Sequence, residues 1–193
     1  MARPRKFDRQ LVLDKAMDVF WSQGYSGTSM ADLTTAMGLS KSSLYDSFGS
    51  KHEVFLTTMD HYRRNVTARI RSIADLKAPP KQIIASVVGR SVDRILAPSG
   101  KRGCFLNNCA SEVAPTDAEA AQRCAVGFAV MEDTFCHLIE RGQKQGDIPV
   151  AKNARALARF LTGTINGIMV IGKASPDRGH LNDIAETALS ALD

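Results

Sequence analysis

The stretch TSMADLTTAMGLSKSSLYDSFGSK, from Thr28 to Lys51, contains two short segments with apolar residues at helical spacing. Gly38 is placed to end the first segment, and Ser40 is a good N-cap for the second, which ends at Gly49. Two short helices joined by a tight glycine-containing turn form a helix-turn-helix, whose second helix lies in the major groove of DNA. The stretch therefore predicts a DNA-binding module.

The second helix of this pair is rich in small hydroxyl side chains. A recognition helix must approach base edges and phosphates closely, so short hydroxyls and a few long donors suit its exposed face. The alternative interpretation is that serine and threonine only cap short helices and that Tyr45 belongs to the core. The residues that fit the DNA-contacting interpretation are Ser40, Lys41, Ser42, Ser43, Tyr45 and Ser47.

The flanking segments are predicted to be helical as well. From Arg9 to Gln23 a wide apolar stripe at helical spacing predicts a first helix, which Gly24 ends. Ser50 followed by Glu53 is a capping box, and it predicts the start of a long fourth helix that runs to about Asp75.

The order of these elements resembles the DNA-binding region of TetR-family transcriptional regulators over about residues 7–55, above all in the core G-x-S-x-x-x-L-Y-x-x-F-x-S-K. Asp46 and Ser47 depart from the common pattern of the family, as does Thr34. Because an anionic side chain is repelled by phosphate, we expect Asp46 to face away or to accept from a cytosine amino group. The resemblance implies DNA contacts, mostly to phosphates, from Thr28, Ser29, Lys41, Ser42, Ser43, Tyr45, Ser47 and Lys51.

The charge distribution agrees with a DNA-binding N-terminal module. The chain has a net charge of +5, and residues 1–71 carry 11 basic against 7 acidic residues, whereas residues 72–193 carry 14 against 13. Arg3, Arg5 and Lys6 form a basic arm that either reaches a minor groove or phosphates, or only adds non-specific affinity.

The sequence argues against several other classes of protein. It has no apolar run long enough for a membrane span and no secretory signal, so a cytoplasmic location is expected. Its four cysteines lack zinc-site spacing and are expected to be reduced thiols, and no cofactor is predicted. Motifs of hydrolases, zinc proteases and phosphate-binding loops are absent, which argues against an enzyme.

The predicted fold class is all-α. We expect an N-terminal helix-turn-helix domain of three helices in residues 1–50 and a helical ligand-binding and dimerisation domain in residues 51–193, connected by the long fourth helix. Pro79 and Pro80 end that helix because a proline pair cannot continue a helix interior.

The last two predicted helices are candidates for a dimer interface. Gly163 and Gly167 lie four residues apart and leave a flat surface on the first of them, although internal packing would produce a similar pattern. The resemblance implies a homodimer that forms a four-helix bundle from these helices. The predicted interface residues are Gly163, Gly167, Leu181, Ile184, Ala185, Ala188 and Leu189.

An effector pocket is predicted around the polar residues of GCFLNNCASE. Asn107, Asn108 and Glu112 lie among apolar residues, so either internal partners or a ligand must satisfy them. The expected effector is a small, mainly apolar molecule or a thiol-reactive electrophile at Cys104. The predicted pocket residues are Met59, Tyr62, Arg63, Val66, Cys104, Asn107, Asn108, Glu112, Phe128, Met131 and Phe135.

Together these observations predict a homodimeric repressor of a palindromic double-stranded operator that a small-molecule effector releases from DNA. The alternative is a helix-turn-helix DNA-binding protein that acts without a ligand.

Overall fold

The computed structural model describes residues 7–193, so the basic arm with Arg3, Arg5 and Lys6 lies outside the described residues. Within residues 7–193 the chain forms α-helices and one 3₁₀ turn but no strand, which confirms the all-α class. The helices are α1 (Arg9–Gln23), α2 (Met30–Met37), α3 (Lys41–Phe48), α4 (Lys51–Ala74), α5 (Pro80–Leu96), α6 (Phe105–Glu112), α7 (Ala118–Gln145), α8 (Ala154–Ala174) and α9 (Arg178–Ser190), with the 3₁₀ turn at Pro98–Arg102.

The chain divides into two compact units. The first comprises the described residues through Asn65 together with Asn108–Cys124, and the second comprises Val66–Asn107 together with Ala125–Asp193. The domain boundary predicted at residue 50 falls inside the first unit, which also includes the first half of α4, the end of α6 and the start of α7.

The first unit contains the helix-turn-helix. α1 begins at its N-cap Asp8, whose carboxylate accepts hydrogen bonds from the amides of Gln10 and Leu11, and it ends at Gly24. α2 and α3 each contain eight residues and contribute two buried apolar side chains apiece. The core of this unit includes Leu13, Phe20, Leu33, Met37, Leu44, Phe48, Phe55 and Met59.

The starts of the short helices are fixed by side-chain caps. The Ser29 hydroxyl accepts from the Asp32 amide at 3.1 Å, and the Asp32 carboxylate accepts from the Ser29 amide at 2.8 Å, which is a complete capping box. At α4 the amide of Ser50 donates to the Glu53 carboxylate at 2.8 Å, which confirms the predicted capping box there.

The second unit has an apolar core built from α5, α7, α8 and α9. α5 begins with Pro80 at its first turn, where the missing N–H of proline has no cost. A Cβ at Gly172 of α8 would lie 2.8 Å from the Ile95 side chain, so glycine permits the close approach of α8 to α5. Buried members of this core include Ile84, Val88, Val92, Phe135, Leu138, Ile139, Leu161, Ile165, Ile168 and Leu181.

In the part of the chain that the structure describes, no helix is both long and apolar enough to cross a membrane.

The C-cap of α3 provides a test of these local arguments. Gly49 has φ +81° and ψ −142°, a conformation almost restricted to glycine, and its added Cβ would collide with the capping carboxylate of Glu53. We expect Gly49→Ala to lower the free energy of unfolding by about 2 kcal/mol through backbone strain and loss of the α4 cap, measured by urea denaturation.

Gly89→Ala is the matched control, because Gly89 is exposed within α5 and its Cβ would meet no atom of the described chain within 4 Å. That substitution should raise the free energy of unfolding by about 0.5–1 kcal/mol. Equal stability of the two variants would contradict the assignment of the α3 C-cap.

Candidate nucleic-acid interface

The exposed face of α3 carries the donors that the sequence predicts for DNA recognition. Lys41 and Ser42 are exposed, and Tyr45 is 45% exposed. Leu44 and Phe48 are buried, so α3 packs these two side chains against the core and leaves Lys41, Ser42 and Tyr45 on its exposed face. The exposure of Tyr45 excludes the alternative that its ring belongs to the core.

The serines at the start of α3 form a hydroxyl cluster. The Ser40 hydroxyl accepts from the Ser43 amide at 3.2 Å and lies 3.1 Å from the Ser42 hydroxyl and 2.9 Å from the Ser43 hydroxyl. Ser40 therefore acts as the N-cap of α3. Its cluster also presents hydroxyl groups at the N-terminus of a helix, an arrangement that suits a phosphate.

Ser29 at the start of α2 is exposed, but its hydroxyl is part of a capping box. The hydroxyl donates to the Asp32 carboxylate at 2.6 Å while it accepts from the Asp32 amide. The hydrogen bonds from the Ser29 hydroxyl and amide lower the pKa of Asp32, so this carboxylate stays ionised beside the helix N-terminus.

Two of the residues predicted to contact DNA have hydroxyl groups that are buried in this structure. Thr28 is only 2% exposed, and its hydroxyl donates to the Gly24 carbonyl oxygen at 2.6 Å. The Ser47 hydroxyl is also buried, and it has no hydrogen-bond partner within the described residues. In these conformations neither hydroxyl is accessible to a phosphate.

Lys51, which is predicted to contact phosphate, forms hydrogen bonds within the protein. Its Nζ donates to the carbonyl oxygens of Tyr25 and Thr28, both at 2.9 Å, and lies 4.3 Å from the centre of the Tyr25 ring. The ammonium group is thus bound inside the first unit, against the turn that joins α1 to α2. We refer to residues Gly24–Thr28 as the α1–α2 turn.

Glu112, predicted to line an effector pocket, also binds the α1–α2 turn. Its two carboxylate oxygens accept hydrogen bonds from the amide of Tyr25 at 3.1 Å and from the amide of Ser26 at 2.8 Å. The carboxylate predicted to line a pocket thus has internal backbone partners. Sequence reasoning missed the contact because 86 residues separate Glu112 from Ser26 and no local pattern connects them.

A second long-range pair lies close to the same turn. The Nε2 atom of His52 is 2.6 Å from a carboxylate oxygen of Asp117, and the His52 ring packs edge-on at 6.4 Å from the Tyr25 ring. Asp117 also accepts from the Ala120 amide at 3.0 Å, within the first turn of α7. The hydrogen bond from Ala120, followed by the contact with His52, lowers the pKa of Asp117.

Comparison with known proteins identifies the family of this chain. Residues 12–58 match the family described as bacterial regulatory proteins, tetR family, and residues 80–188 match the one described as tetracyclin repressor-like, C-terminal domain. The chain belongs to the TetR family. Like its relatives, this TetR-family protein is a DNA-binding transcriptional regulator and not an enzyme.

Individual relatives span nearly the full length of this TetR-family chain. It is 31% identical to the HTH-type transcriptional regulator YezE of Bacillus subtilis, over all of both chains. It is 30% identical to the HTH-type transcriptional repressor ComR of Escherichia coli, over 97% of this chain and 90% of ComR. Among solved structures, a cysteine-substituted CifR complexed with 26-base-pair operator DNA has a TM-score of 0.86 and 31% identity, over 99% of this chain and all of that chain.

The residues predicted for the effector pocket of this TetR-family protein are divided between the two units, and the pocket stays a prediction. In the first unit Met59 is fully buried, and Tyr62 packs edge-on against Trp21 with ring centres 5.4 Å apart. Arg63 pairs with Asp60 at 3.4 Å. Asn108 belongs to the same unit and is partly buried, as is Val66 at the start of the second unit.

The remaining pocket candidates belong to the second unit. Asn107 is 8% exposed, and its side-chain amide donates to the Asn166 carbonyl oxygen at 3.3 Å. Phe135 is a core residue, with Cys104 and Met131 packed against the same core, and Phe128 is partly buried. Asn107 therefore has an internal backbone partner, which is one of the two explanations considered for the polar residues of GCFLNNCASE.

The residues predicted for the dimer interface differ in their burial. Leu181, Ala185 and Ala188 pack within the core of their own protomer, and Ala188 also lines a groove on the surface. Ile184 and Leu189 are partly buried against that core. On α8, by contrast, a Cβ at Gly163 or Gly167 would meet no described atom within 4 Å.

An exposed apolar stripe runs along α8. Phe160 is 49% exposed, Val170 57% and Ile171 36%, and these residues lie at helical spacing with the two open glycines. Phe160, Gly167 and Ile171 also border a shallow, mainly apolar groove that residues of α9 complete. We define the α8–α9 face by Phe160, Gly163, Thr164, Gly167, Val170, Ile171, Asp183, Ile184, Thr187 and Ala188.

Proposed function

We propose that this regulator is a homodimeric repressor that binds a palindromic operator through α3 of each protomer and is released by a small, mainly apolar molecule. The exposed donor face of α3, with Lys41, Ser42 and Tyr45, is the observation that carries the DNA-binding part. The relative ComR is named a repressor, which supports the repressor role. CifR forms a complex with operator DNA, which supports double-stranded DNA as the partner.

The proposed DNA contacts are revised according to exposure. Thr28 and Ser47 are removed because their hydroxyls are buried, and Lys51 because its ammonium group binds the α1–α2 turn. The hydroxyl cluster and the amides at the start of α3 would bind phosphate, while Lys41 would neutralise it. The proposed contacts are Ser29, Ser40, Lys41, Ser42, Ser43 and Tyr45.

Lys41 provides the sharpest test of this contact set. If each protomer neutralises one phosphate with Lys41, Lys41→Ala should weaken binding to all duplexes and reduce the slope of log K against log salt by about 0.9 per protomer. The slope would be measured by fluorescence anisotropy of labelled duplex across a salt titration.

Lys77→Ala is the matched control, since Lys77 is an exposed lysine in the loop after α4 and its removal changes the net charge equally. It should leave the salt slope close to that of the wild type. A Lys41→Ala slope equal to the Lys77→Ala slope would refute the phosphate contact.

The α8–α9 face is the proposed dimer interface. Exposed large apolar side chains around open glycines favour the close approach of a second helix. In a two-fold dimer the same face is used on both protomers, and two recognition helices would then lie about 34–36 Å apart, one turn of the duplex, or somewhat more.

Introducing a charge into this face should separate the protomers. We expect Phe160→Glu to sediment as a monomer at micromolar concentration, because two carboxylates would be desolvated at the interface. Operator affinity should fall on the order of 100-fold, since the second half-site no longer binds as part of the same molecule.

Val150→Glu adds the same charge at an apolar residue that is 80% exposed and lies before α8, outside the face. That control should remain dimeric. A dimeric Phe160→Glu variant would place the interface elsewhere on the chain.

The effector is proposed to bind without a covalent bond, held mainly by apolar side chains and one or two polar groups. Cys104 packs against the core of the second unit and is only partly exposed, which disfavours attack by its thiol on an electrophile.

N-ethylmaleimide, a thiol-reactive electrophile, distinguishes the two modes of release. We expect its addition to leave operator affinity unchanged within twofold in both the wild type and Cys104→Ser, measured by anisotropy. Release of the wild type but not of Cys104→Ser would instead establish Cys104 as a sensor of electrophiles.

A further inference from the structure

The α1–α2 turn is bound by two side chains of opposite charge. Lys51 of α4 donates to the carbonyl oxygens of Tyr25 and Thr28, both at 2.9 Å. Glu112 of α6 accepts from the amides of Tyr25 and Ser26, at 3.1 and 2.8 Å. Hydrogen bonds in which one partner is charged are roughly twice as strong as those between neutral groups, so four such bonds make this turn an anchored segment.

Glycine at position 24 is what allows the carboxylate to come so close. Gly24 has φ +77°, and a Cβ there would lie 2.8 Å from one carboxylate oxygen of Glu112 and 3.0 Å from the other. A side chain at this position would both strain the backbone and push the carboxylate away from the two amides. The turn and Glu112 are therefore sterically matched.

The anchored turn leads directly into the helix-turn-helix. Thr28, the last residue of the turn, precedes Ser29, which is the N-cap of α2. α2 in turn reaches α3 through only three residues, with Gly38 in the left-handed conformation at φ +67°. A displacement of the turn would therefore move the start of α2 and, through this short connection, the donor face of α3.

We infer that Glu112 is a positioning residue for DNA recognition, which fixes the α1–α2 turn and thereby the direction of α3. The inference rests on the DNA-binding function of the family and does not depend on the proposed contacts, dimer interface or effector. Simple electrostatics makes the opposite prediction, because removing a negative charge from a DNA-binding protein should raise its affinity for any duplex. Weaker DNA binding after removal of the Glu112 charge would therefore indicate lost positioning of α3, whereas tighter binding would indicate the electrostatic effect alone.

The test uses the full chain with Glu112→Gln, which keeps the size of the side chain but replaces one acceptor oxygen with an amide that cannot accept. Glu119→Gln is the matched control. The Glu119 side chain is 62% exposed and lies in the same unit, and the substitution changes the net charge by the same amount. Affinity would be measured for a duplex selected by the wild type from a random pool and for a random duplex of the same length.

We expect Glu112→Gln to bind the selected duplex about tenfold more weakly than Glu119→Gln does, while the two variants bind the random duplex equally within twofold. Hydrogen exchange of the Tyr25 and Ser26 amides should be faster in Glu112→Gln than in Glu119→Gln. If Glu112→Gln binds the selected duplex as tightly as Glu119→Gln, or exchanges these amides at the same rate, the inference is overturned.

Glu112→Asp keeps the charge and serves if the glutamine variant does not fold. Its carboxylate is one methylene shorter, so we expect faster exchange of the two amides together with weaker binding to the selected duplex. Faster exchange with unchanged binding would overturn the inference, as would unchanged exchange with weaker binding. In either case the ability of the protein to bind random duplex reports separately on its general DNA-binding function.

Discussion

Helices as short as α2 and α3, with eight residues each, are not stable by themselves in water, and this constraint determines how the first unit is built. Isolated helices shorter than about 12–15 residues are marginal, because each must nucleate at a high entropic cost. α2 and α3 can bury only Leu33, Met37, Leu44 and Phe48 if they are to leave a face for DNA. Their remaining stability has to come from their ends, and capping hydroxyls, a left-handed glycine and the anchored α1–α2 turn supply it.

The same constraint gives the serines of this region two roles. Ser40 satisfies an amide of the first turn of α3, and its hydroxyl also belongs to an exposed cluster with Ser42 and Ser43. Capping and DNA contact are therefore compatible interpretations of the sequence TSMADLTTAMGLSKSS. Ser47 shows the limit of this reasoning, because one helical turn later the same residue type is enclosed and contributes no accessible donor.

Local features of the fold could be predicted from the sequence because their causes lie within a few residues. The bounds of α1 follow from apolar spacing, and the capping box of Ser50 and Glu53 follows from two residues three apart. The candidate site was predictable only in part, because the position of Lys51 and Glu112 on one turn depends on contacts across 26 and 87 residues. An apolar stripe in the sequence likewise does not show whether the same protomer or a partner protomer buries it. In the structure Leu181 and Ala185 of α9 pack into the core of their own protomer.

The glycines of α8 illustrate how a residue that weakens its own helix points to a partner. Glycine within a helix costs about 1 kcal/mol relative to alanine, and close packing of another element against the glycine is one compensating gain. Gly172 has such a gain inside the protomer, where the Ile95 side chain and a Leu181 methyl group occupy the space that a Cβ would need. Gly163 and Gly167 have none among the described residues, yet they lie between Phe160 and Val170, which are themselves exposed. A second copy of α8 that crosses at these glycines would bury both aromatic and aliphatic surface, which is the compensation that a single protomer lacks.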